Sequence, residues 1–166
     1  MDRTTAMANT PYSADNPMPL EESIPFRVAV AANLNAGIWQ RQHARRYGLT
    51  ITDWRVLMLL VTRPGLSARE VSEYIAVDKM SITRSVRRLL ARKYIKVAMN
   101  SRDRRRLELS VRPAGAAIYD EVVGFLLQHQ AQLLQDFSVT ERLMLTELLG
   151  KLVVALRRIA SDPDAS

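Results

Sequence analysis

Lysine and arginine are concentrated in one part of this 166-residue chain. Between Lys79 and Arg112, twelve basic residues stand against two acidic ones, Asp103 and Glu108, so the segment carries +10. Because the whole chain carries +7, the remainder carries −3. Guanidinium and ammonium groups at this density bind phosphates, and such a local excess indicates a polyanionic partner.

The first half of this basic segment has the periodicity of an amphipathic helix. Its apolar side, which must face a core, carries Ile82, Val86, Leu89 and Leu90. A basic opposite side suits the major groove of duplex DNA, about 12 Å wide, where Arg binds guanine in a bidentate manner and Ser is permissive. The residues predicted to contact DNA from this helix are Lys79, Met80, Ser81, Thr83, Arg84, Arg87 and Arg88. An ordinary helix with a solvated arginine face is the alternative, which the hairpin that follows disfavours.

Two short alternating stretches, 94–99 and 107–111, predict a β-hairpin with a charged tip. Arginine at the edge of a hairpin favours phosphates and the narrow minor groove of A·T stretches. Asp103 is better suited to hold a neighbouring arginine, Arg105, and to fix the shape of the tip. The tip residues assigned to the DNA interface are Arg102, Asp103, Arg104, Arg105 and Arg106.

The elements before the basic helix explain how it is presented. Ser67-Ala-Arg-Glu70 is a capping box that opens a short helix, and Asp78 can cap the basic helix after a tight turn. A short helix, a turn, a longer basic helix and a hairpin follow in the order of a winged helix. The predicted fold is mainly α with a small β-hairpin: a winged helix-turn-helix domain flanked by N- and C-terminal dimerisation helices.

The two ends of the chain predict further helices around this domain. One runs from about Pro25 to Tyr47 and ends at Gly48, and another occupies 52–62. Pro113 starts a long helix to about Phe137, and a second capping box, 138–141, opens the last one. The terminal helices are apolar over more than one stripe, so we expect them to pair two chains. The predicted divisions are a flexible N-terminal arm (1–22), a helical dimerisation region (23–48 and 113–160) and a DNA-binding domain (49–112).

Composition excludes several classes of function. The chain has no cysteine and only two histidines, and it lacks a glycine-rich phosphate loop, so we predict no enzyme, no metal site and no cofactor. Without a signal sequence or a long apolar run, we expect a soluble, cytoplasmic protein with no membrane partner. A winged helix that binds RNA or a protein partner, without ligand-controlled transcription regulation, is the alternative function. Single-stranded RNA recognition usually needs exposed aromatic side chains, and the basic segment contains only Tyr94.

The motifs together resemble the MarR family of bacterial winged-helix regulators, over roughly 26–160. The most specific element is the wing, 101–115, in which Asp103 and Arg105 match the family's Asp-x-Arg pattern and Gly115 matches its later glycine. Val111-Arg112 stands where Leu-Thr is usual in the family. The segments 52–57 and 78–84 resemble the family's second helix and the start of its recognition helix. The resemblance implies a homodimer on a pseudo-palindromic operator, often a repressor that a small phenolic or aromatic acid releases from DNA.

The resemblance also places an effector site between the dimerising helices and the winged-helix lobe. The residues that would line it are Trp39, His43, Arg46, Trp54 and Arg55. An aromatic wall with nearby cations suits an aromatic carboxylate. The alternatives are that Trp54 belongs to the core, that His43 is an exposed helix residue and that Arg46 contacts a phosphate or the helix dipole.

Overall fold

A computed structural model describes residues 12–100, 103 and 106–162. The predicted DNA contacts Arg102, Arg104 and Arg105 therefore lie outside the described residues. The helices are α1 (Ile24–Trp39), α2 (Ile51–Thr62), α3 (Ala68–Ile75), α4 (Lys79–Ala91), α5 (Pro113–Leu133) and α6 (Val139–Ser161). The strands β1 (Ile95–Met99) and β2 (Leu107–Val111) form an antiparallel hairpin. The predicted mainly α fold with one hairpin is confirmed.

Helix α1 continues beyond Trp39 through a π-helical turn, Gln40–Ala44, and a last α-helical turn, Arg45–Tyr47. Ser23 caps its start by accepting a hydrogen bond from the Phe26 amide. Gly48 ends it in the left-handed conformation (φ 59°, ψ 27°), as its position after the helix predicts. The chain then turns directly into α2, so the end of α1 and the start of α2 form one compact junction, 47–53.

The core of the winged helix lies among α2, α3, α4 and the hairpin, which pack against one another. Its fully buried members include Leu57, Val71, Ile82, Leu89 and Ile95. Strand β2 is held from the other side as well, because Leu66 bridges to Leu109 through backbone hydrogen bonds. In the hairpin, Val97 pairs with Leu109 and Met99 with Leu107, the register that the alternation predicts.

Side-chain caps fix where the helices start. The predicted capping boxes at Ser67–Glu70 and Ser138–Glu141 are confirmed, and Asp78 caps α4 by accepting from the Ser81 amide. A further capping box, Thr50 with Asp53, opens α2 and was missed in the sequence. Its Thr-x-x-Asp spacing was a signal that would have found it.

The chain divides into two compact units, one ending at Ala116 and one starting at Ala117. Helix α1 clusters with the winged helix in the first unit, whereas most of α5 and all of α6 form the second. The predicted dimerisation region is thus divided between the units. Helix α6 has no buried residue in the single chain, although it is rich in leucine and valine. Dimerisation itself stays a prediction.

Gly115 lets the first turn of α5 approach the hairpin closely. A Cβ atom built on it would lie 2.2 Å from the Tyr94 carbonyl oxygen, which accepts a hydrogen bond from the Arg112 amide. That oxygen belongs to backbone next to β1 and has little freedom to move. A side chain at position 115 therefore has no room, which explains the glycine in this chain.

We expect Gly115→Ala to destabilise the fold by about 1–3 kcal/mol, because the new methyl group displaces backbone. Gly124→Ala in the same helix is the matched control, since no atom apart from its chain neighbours and the adjacent helix backbone lies within 4 Å of its Cβ position. That control should stabilise the fold by up to about 1 kcal/mol through helix propensity. Urea unfolding at equal protein concentration measures both, and equal effects of the two substitutions would contradict the steric argument.

Candidate nucleic-acid interface

Helix α4 separates its apolar and basic sides as its sequence predicts. Ile82 and Leu89 are buried, whereas Lys79, Arg84 and Arg87 are exposed. Met80 is 67% exposed in the first turn of the helix, on the same side as these basic residues. Ser81 and Thr83 lie at the edge of this face and are half-buried.

The first turn of α4 is ordered by short-range hydrogen bonds. The Asp78 carboxylate accepts from the Ser81 amide at 2.8 Å. Hydrogen bonds with Ser81 hold the pKa of Asp78 below its ordinary value, with a smaller contribution from the charge of Arg84. Arg84 donates to the Ser81 hydroxyl at 3.1 Å, and Thr83 donates to the Lys79 carbonyl at 2.8 Å. These hydrogen bonds therefore fix the conformation of the first turn of α4 on its exposed side.

The turn between α3 and α4 is equally well defined. Ala76 adopts the left-handed conformation (φ 53°), which costs an L-residue about 1–2 kcal/mol. The Ser72 hydroxyl donates to the Val77 carbonyl at 2.7 Å, and the Ser72 carbonyl accepts from the Val77 amide. Ser72 is itself buried, so these bonds fix the angle at which α4 leaves α3.

Arg88 points to a different partner from the one the sequence suggested. Its Nε and Nη2 atoms donate to both oxygens of Asp53, at 3.0 Å and 2.8 Å. Asp53 is fully buried. Burial by itself raises the pKa of Asp53, but the hydrogen bonds with Arg88 and Thr50 outweigh it and lower the pKa. The assignment of Arg88 as a DNA contact stays a prediction: its guanidinium is bound to a buried carboxylate that cannot be left unpaired, while 43% of its side chain is exposed.

Arg92, one turn after Arg88, reaches the same junction. Its Nη1 atom donates to the Tyr47 carbonyl at 2.9 Å. The positive φ of Gly48 favours glycine at this position; a Cβ atom there would also meet this guanidinium at 2.5 Å, so the flexible end of Arg92 would have to shift. The contacts of Asp53 with Arg88 and of Arg92 with Tyr47 were not found in the sequence, because the partners are 35 and 45 positions apart along the chain.

In the hairpin, Arg106 is paired as well. Its Nη2 atom lies 2.9 Å from each oxygen of Glu70, at the start of α3. Asp103 contributes backbone hydrogen bonds, accepting from the Arg106 amide and donating to the Asn100 side chain. The predicted pairing of Asp103 with Arg105 lies outside the described residues. Arg106 was predicted as a DNA contact and here joins the wing to α3.

Three of the five predicted effector residues come together. The Trp39 ring centroid is 5.1 Å from that of His43 and 5.5 Å from that of Trp54. Trp39 donates from Nε1 to the Leu49 carbonyl at 3.2 Å. All three rings are buried, so the alternative that Trp54 belongs to the core is confirmed and the alternative that His43 is exposed is wrong.

The two cations of the predicted effector site lie nearer the surface. Arg46 is exposed, with its Cζ atom 5.4 Å from the centre of the Tyr47 ring, and Arg55 is half-buried.

Among residues 12–100, 103 and 106–162, no helix is both long and apolar enough to cross a bilayer. In the same part of the chain, His, Asp and Glu form no group of three that would hold a metal ion.

Known transcription regulators are similar to this chain in sequence and in structure. Residues 47–106 match the model of the MarR family. The chain is 25% identical to the HTH-type transcriptional repressor NicR of Pseudomonas putida over 92% of its length and 96% of NicR. BpsR of Bordetella bronchiseptica, whose DNA binding is regulated by 6-hydroxynicotinic acid, has a similar structure: TM-score 0.73, 26% identity, 82% of this chain and 97% of that one. A MarR/EmrR family regulator from Acinetobacter sp. ADP1 shares the fold, with TM-score 0.79 and 24% identity over 85% and 99% of the two chains.

We expect the contribution of Asp53 to stability to depend on pH. The pKa of Asp53 lies below the ordinary 3.8, so its stabilisation is fully present above that value and is lost as the pH falls below it. Asp53→Asn should cost roughly 1.5–3 kcal/mol at neutral pH through the lost charge-assisted bonds. The difference between wild type and variant should shrink as the pH falls below about 4.

Urea unfolding across this pH range, at equal protein concentration, measures the difference. Asp136→Asn is the control, since it removes a carboxylate that is exposed at the end of α5. A difference between wild type and Asp53→Asn that stays constant from neutral pH to pH 3 would contradict the role of the charged carboxylate.

Proposed function

We propose that the chain is a winged-helix regulator of the MarR family, which binds duplex DNA as a homodimer and represses transcription until a small aromatic acid releases it. The observation that carries the proposal is the exposed side of α4. Arg84 and Arg87 lie on this side of α4, beside Met80. Asp78 caps the start of the helix, and Asp53 of α2 binds Arg88 of the same helix.

Helix α4 would be the recognition helix, with its N-terminal half in the major groove. Arg84 and Arg87 would bind base edges, guanine O6 and N7 in particular, while Met80 would contact thymine methyl groups. Lys79, Ser81 and Thr83 would contribute phosphate or base-edge contacts around them. The hydroxyl groups of Ser81 and Thr83 already take part in hydrogen bonds within the helix, so we propose that these two residues add only secondary contacts to DNA.

The wing would add phosphate contacts next to the groove. Arg102, Arg104 and Arg105 supply three positive charges within a short tip, and arginine is favoured where the minor groove is narrow. Neutralising phosphates releases counterions, so the affinity should fall steeply with salt.

A homodimer is supported by the apolar surface of the second unit. On α6, Leu143, Leu148, Leu149, Val153 and Leu156 are exposed in the single chain. Contiguous apolar surface of this kind marks an interface between proteins. Two copies related by twofold symmetry would present two recognition helices to a pseudo-palindromic operator, with half-sites about 34 Å or a multiple of it apart.

The effector proposal is supported by two relatives and by the aromatic cluster. NicR is a repressor, and the ligand that regulates BpsR is a pyridine carboxylic acid. We propose an aromatic acid that uses Arg46 or Arg55 for its carboxylate and the cluster of Trp39, His43 and Trp54 as the wall behind its ring.

We expect Arg84→Ala to lower the preference for operator over random DNA by about 1–3 kcal/mol, because a bidentate base contact is lost. The probe is the duplex that the wild-type protein enriches from a random library. Lys151→Ala is the control, since it removes one exposed charge, paired with Glu147, on the other unit. An RNA duplex of the same sequence tests the alternative partner: binding that is tighter to RNA than to DNA, or an unchanged preference in Arg84→Ala, would contradict the proposal.

We expect an aromatic acid to weaken operator binding by about 5–150-fold, the usual range of allosteric coupling. A panel of benzoates, phenolic acids and 6-hydroxynicotinate is added to the protein–DNA complex, and fluorescence anisotropy measures release. 2-Hydroxypyridine, which lacks the carboxylate, is the matched control and should release no DNA. Arg46→Gln and Arg55→Gln test which cation holds the carboxylate. If no acid in the panel releases DNA, the effector class is wrong while the DNA-binding proposal stands.

A further inference from the structure

Glu70 accepts hydrogen bonds from two elements at once, the start of α3 and the hairpin. As the third residue of α3, it accepts hydrogen bonds from the Ser67 amide at 2.8 Å and the Ser67 hydroxyl at 2.7 Å. The same carboxylate accepts from Arg106 of the hairpin at 2.9 Å through each of its oxygens. A capping residue has no need of a partner 36 positions away, so the second contact calls for its own explanation.

Arg106 lies at the outer end of the hairpin, immediately before β2. Its carbonyl accepts from the Asn100 amide at 2.8 Å, and its amide donates to the Asp103 carbonyl at 3.0 Å. The backbone of Arg106 thus closes the tip, while its side chain reaches back to α3. A rotation of the hairpin about its base would stretch this contact first.

The outer half of the hairpin has little apolar packing to orient it. Met99 is 66% exposed and Leu107 is 55% exposed, whereas Leu109, two residues further in, is buried. Leu109 is fixed by backbone hydrogen bonds to Gly65 and Leu66. The position of the tip therefore depends on how the strands are held between Leu109 and the tip, and the Glu70–Arg106 pair acts at that level.

We propose that Glu70 is a positioning residue for DNA binding, which holds Arg106 against α3 and so sets the wing at the angle that suits the groove. Arg106 then contributes no phosphate contact of its own. The inference rests on the proposed DNA binding, and it deepens that function by giving one acidic and one basic residue a shared role. It also predicts that removing the Glu70 charge weakens DNA binding, whereas charge repulsion alone predicts that it strengthens binding.

The effect of removing the Glu70 charge on DNA affinity distinguishes a positioning role from simple repulsion. Removing an acidic residue from a DNA-binding surface lowers repulsion and should strengthen binding. If Glu70 positions the wing, Glu70→Gln should instead weaken operator binding by about two- to fivefold, which is what a partly exposed ion pair contributes. Glutamine keeps the capping box, so the start of α3 is preserved.

Glu73→Gln is the matched control. Glu73 lies one turn further along α3, is exposed and pairs with Arg69 of the same helix at 2.7 Å. It carries the same charge as Glu70 but does not hold the wing. We expect Glu73→Gln to leave operator affinity unchanged or to raise it, and thermal unfolding of both variants confirms that they are folded at the assay temperature.

A double-mutant cycle separates a positioning role from a phosphate contact. Arg106→Gln and the double variant Glu70→Gln/Arg106→Gln should each bind about as weakly as Glu70→Gln, because the pair acts as a unit. The slope of log affinity against log salt should match the wild type in all three, whereas a lost phosphate contact would reduce it by about 1. A reduced slope for Arg106→Gln, or an affinity for Glu70→Gln that rises as in the control, would overturn the proposal.

Amide hydrogen exchange without DNA tests the wing independently of the proposed function. Exchange of the amides at 106–108 should be faster in Glu70→Gln and Arg106→Gln than in wild type and in Glu73→Gln. If the wild-type protein binds no duplex from the library but this exchange pattern is found, the proposed function fails and the positioning of the wing stands. If exchange at 106–108 is the same in all four proteins, the positioning role is refuted.

Discussion

The Asp53 carboxylate is fully buried, and the winged helix is organised around the need to satisfy it. The Thr50 hydroxyl accepts a hydrogen bond from the Asp53 amide, and the Thr50 amide donates to the Asp53 carboxylate, so the pair caps the start of α2. Arg88, on α4, donates to both carboxylate oxygens of Asp53. A buried charge is tolerated only when such partners are in place. One carboxylate therefore helps to fix the orientation of α4 relative to α2. This contact also fixes the direction in which the exposed side of α4 faces.

The same principle operates twice in the domain. Asp53 and Glu70 are both the third residue of a helix and both belong to a capping box, and each binds an arginine from the basic segment. A cap holds its carboxylate in a fixed rotamer, so the arginine that joins it loses less entropy than in a pair between two free side chains. Local structure thereby provides rigid anchors for the helix and for the hairpin.

The junction at 47–53 connects this arrangement to the aromatic cluster. Arg92, the residue after α4, binds the Tyr47 carbonyl, and Trp39 of α1 binds the Leu49 carbonyl. A change in the packing of Trp39, His43 and Trp54 would therefore act on the same short segment that α4 holds. The proposed effector and the proposed DNA surface would share a physical connection of two side-chain hydrogen bonds to neighbouring peptide groups.

The sequence by itself determined the elements, because their signals are local: the caps at Ser67, Asp78 and Ser138, the alternation in the hairpin and the apolar side of α4 at Ile82 and Leu89. It also located the concentration of charge. Which of those charges are available was decided only by the tertiary structure. Arg84, Arg88 and Arg106 look alike in a list of basic residues, yet Arg88 and Arg106 are bound to carboxylates 35 and 36 positions away. The packing that brings such distant groups together has no local signature, whereas a capping box or a strand repeat is complete within a few residues.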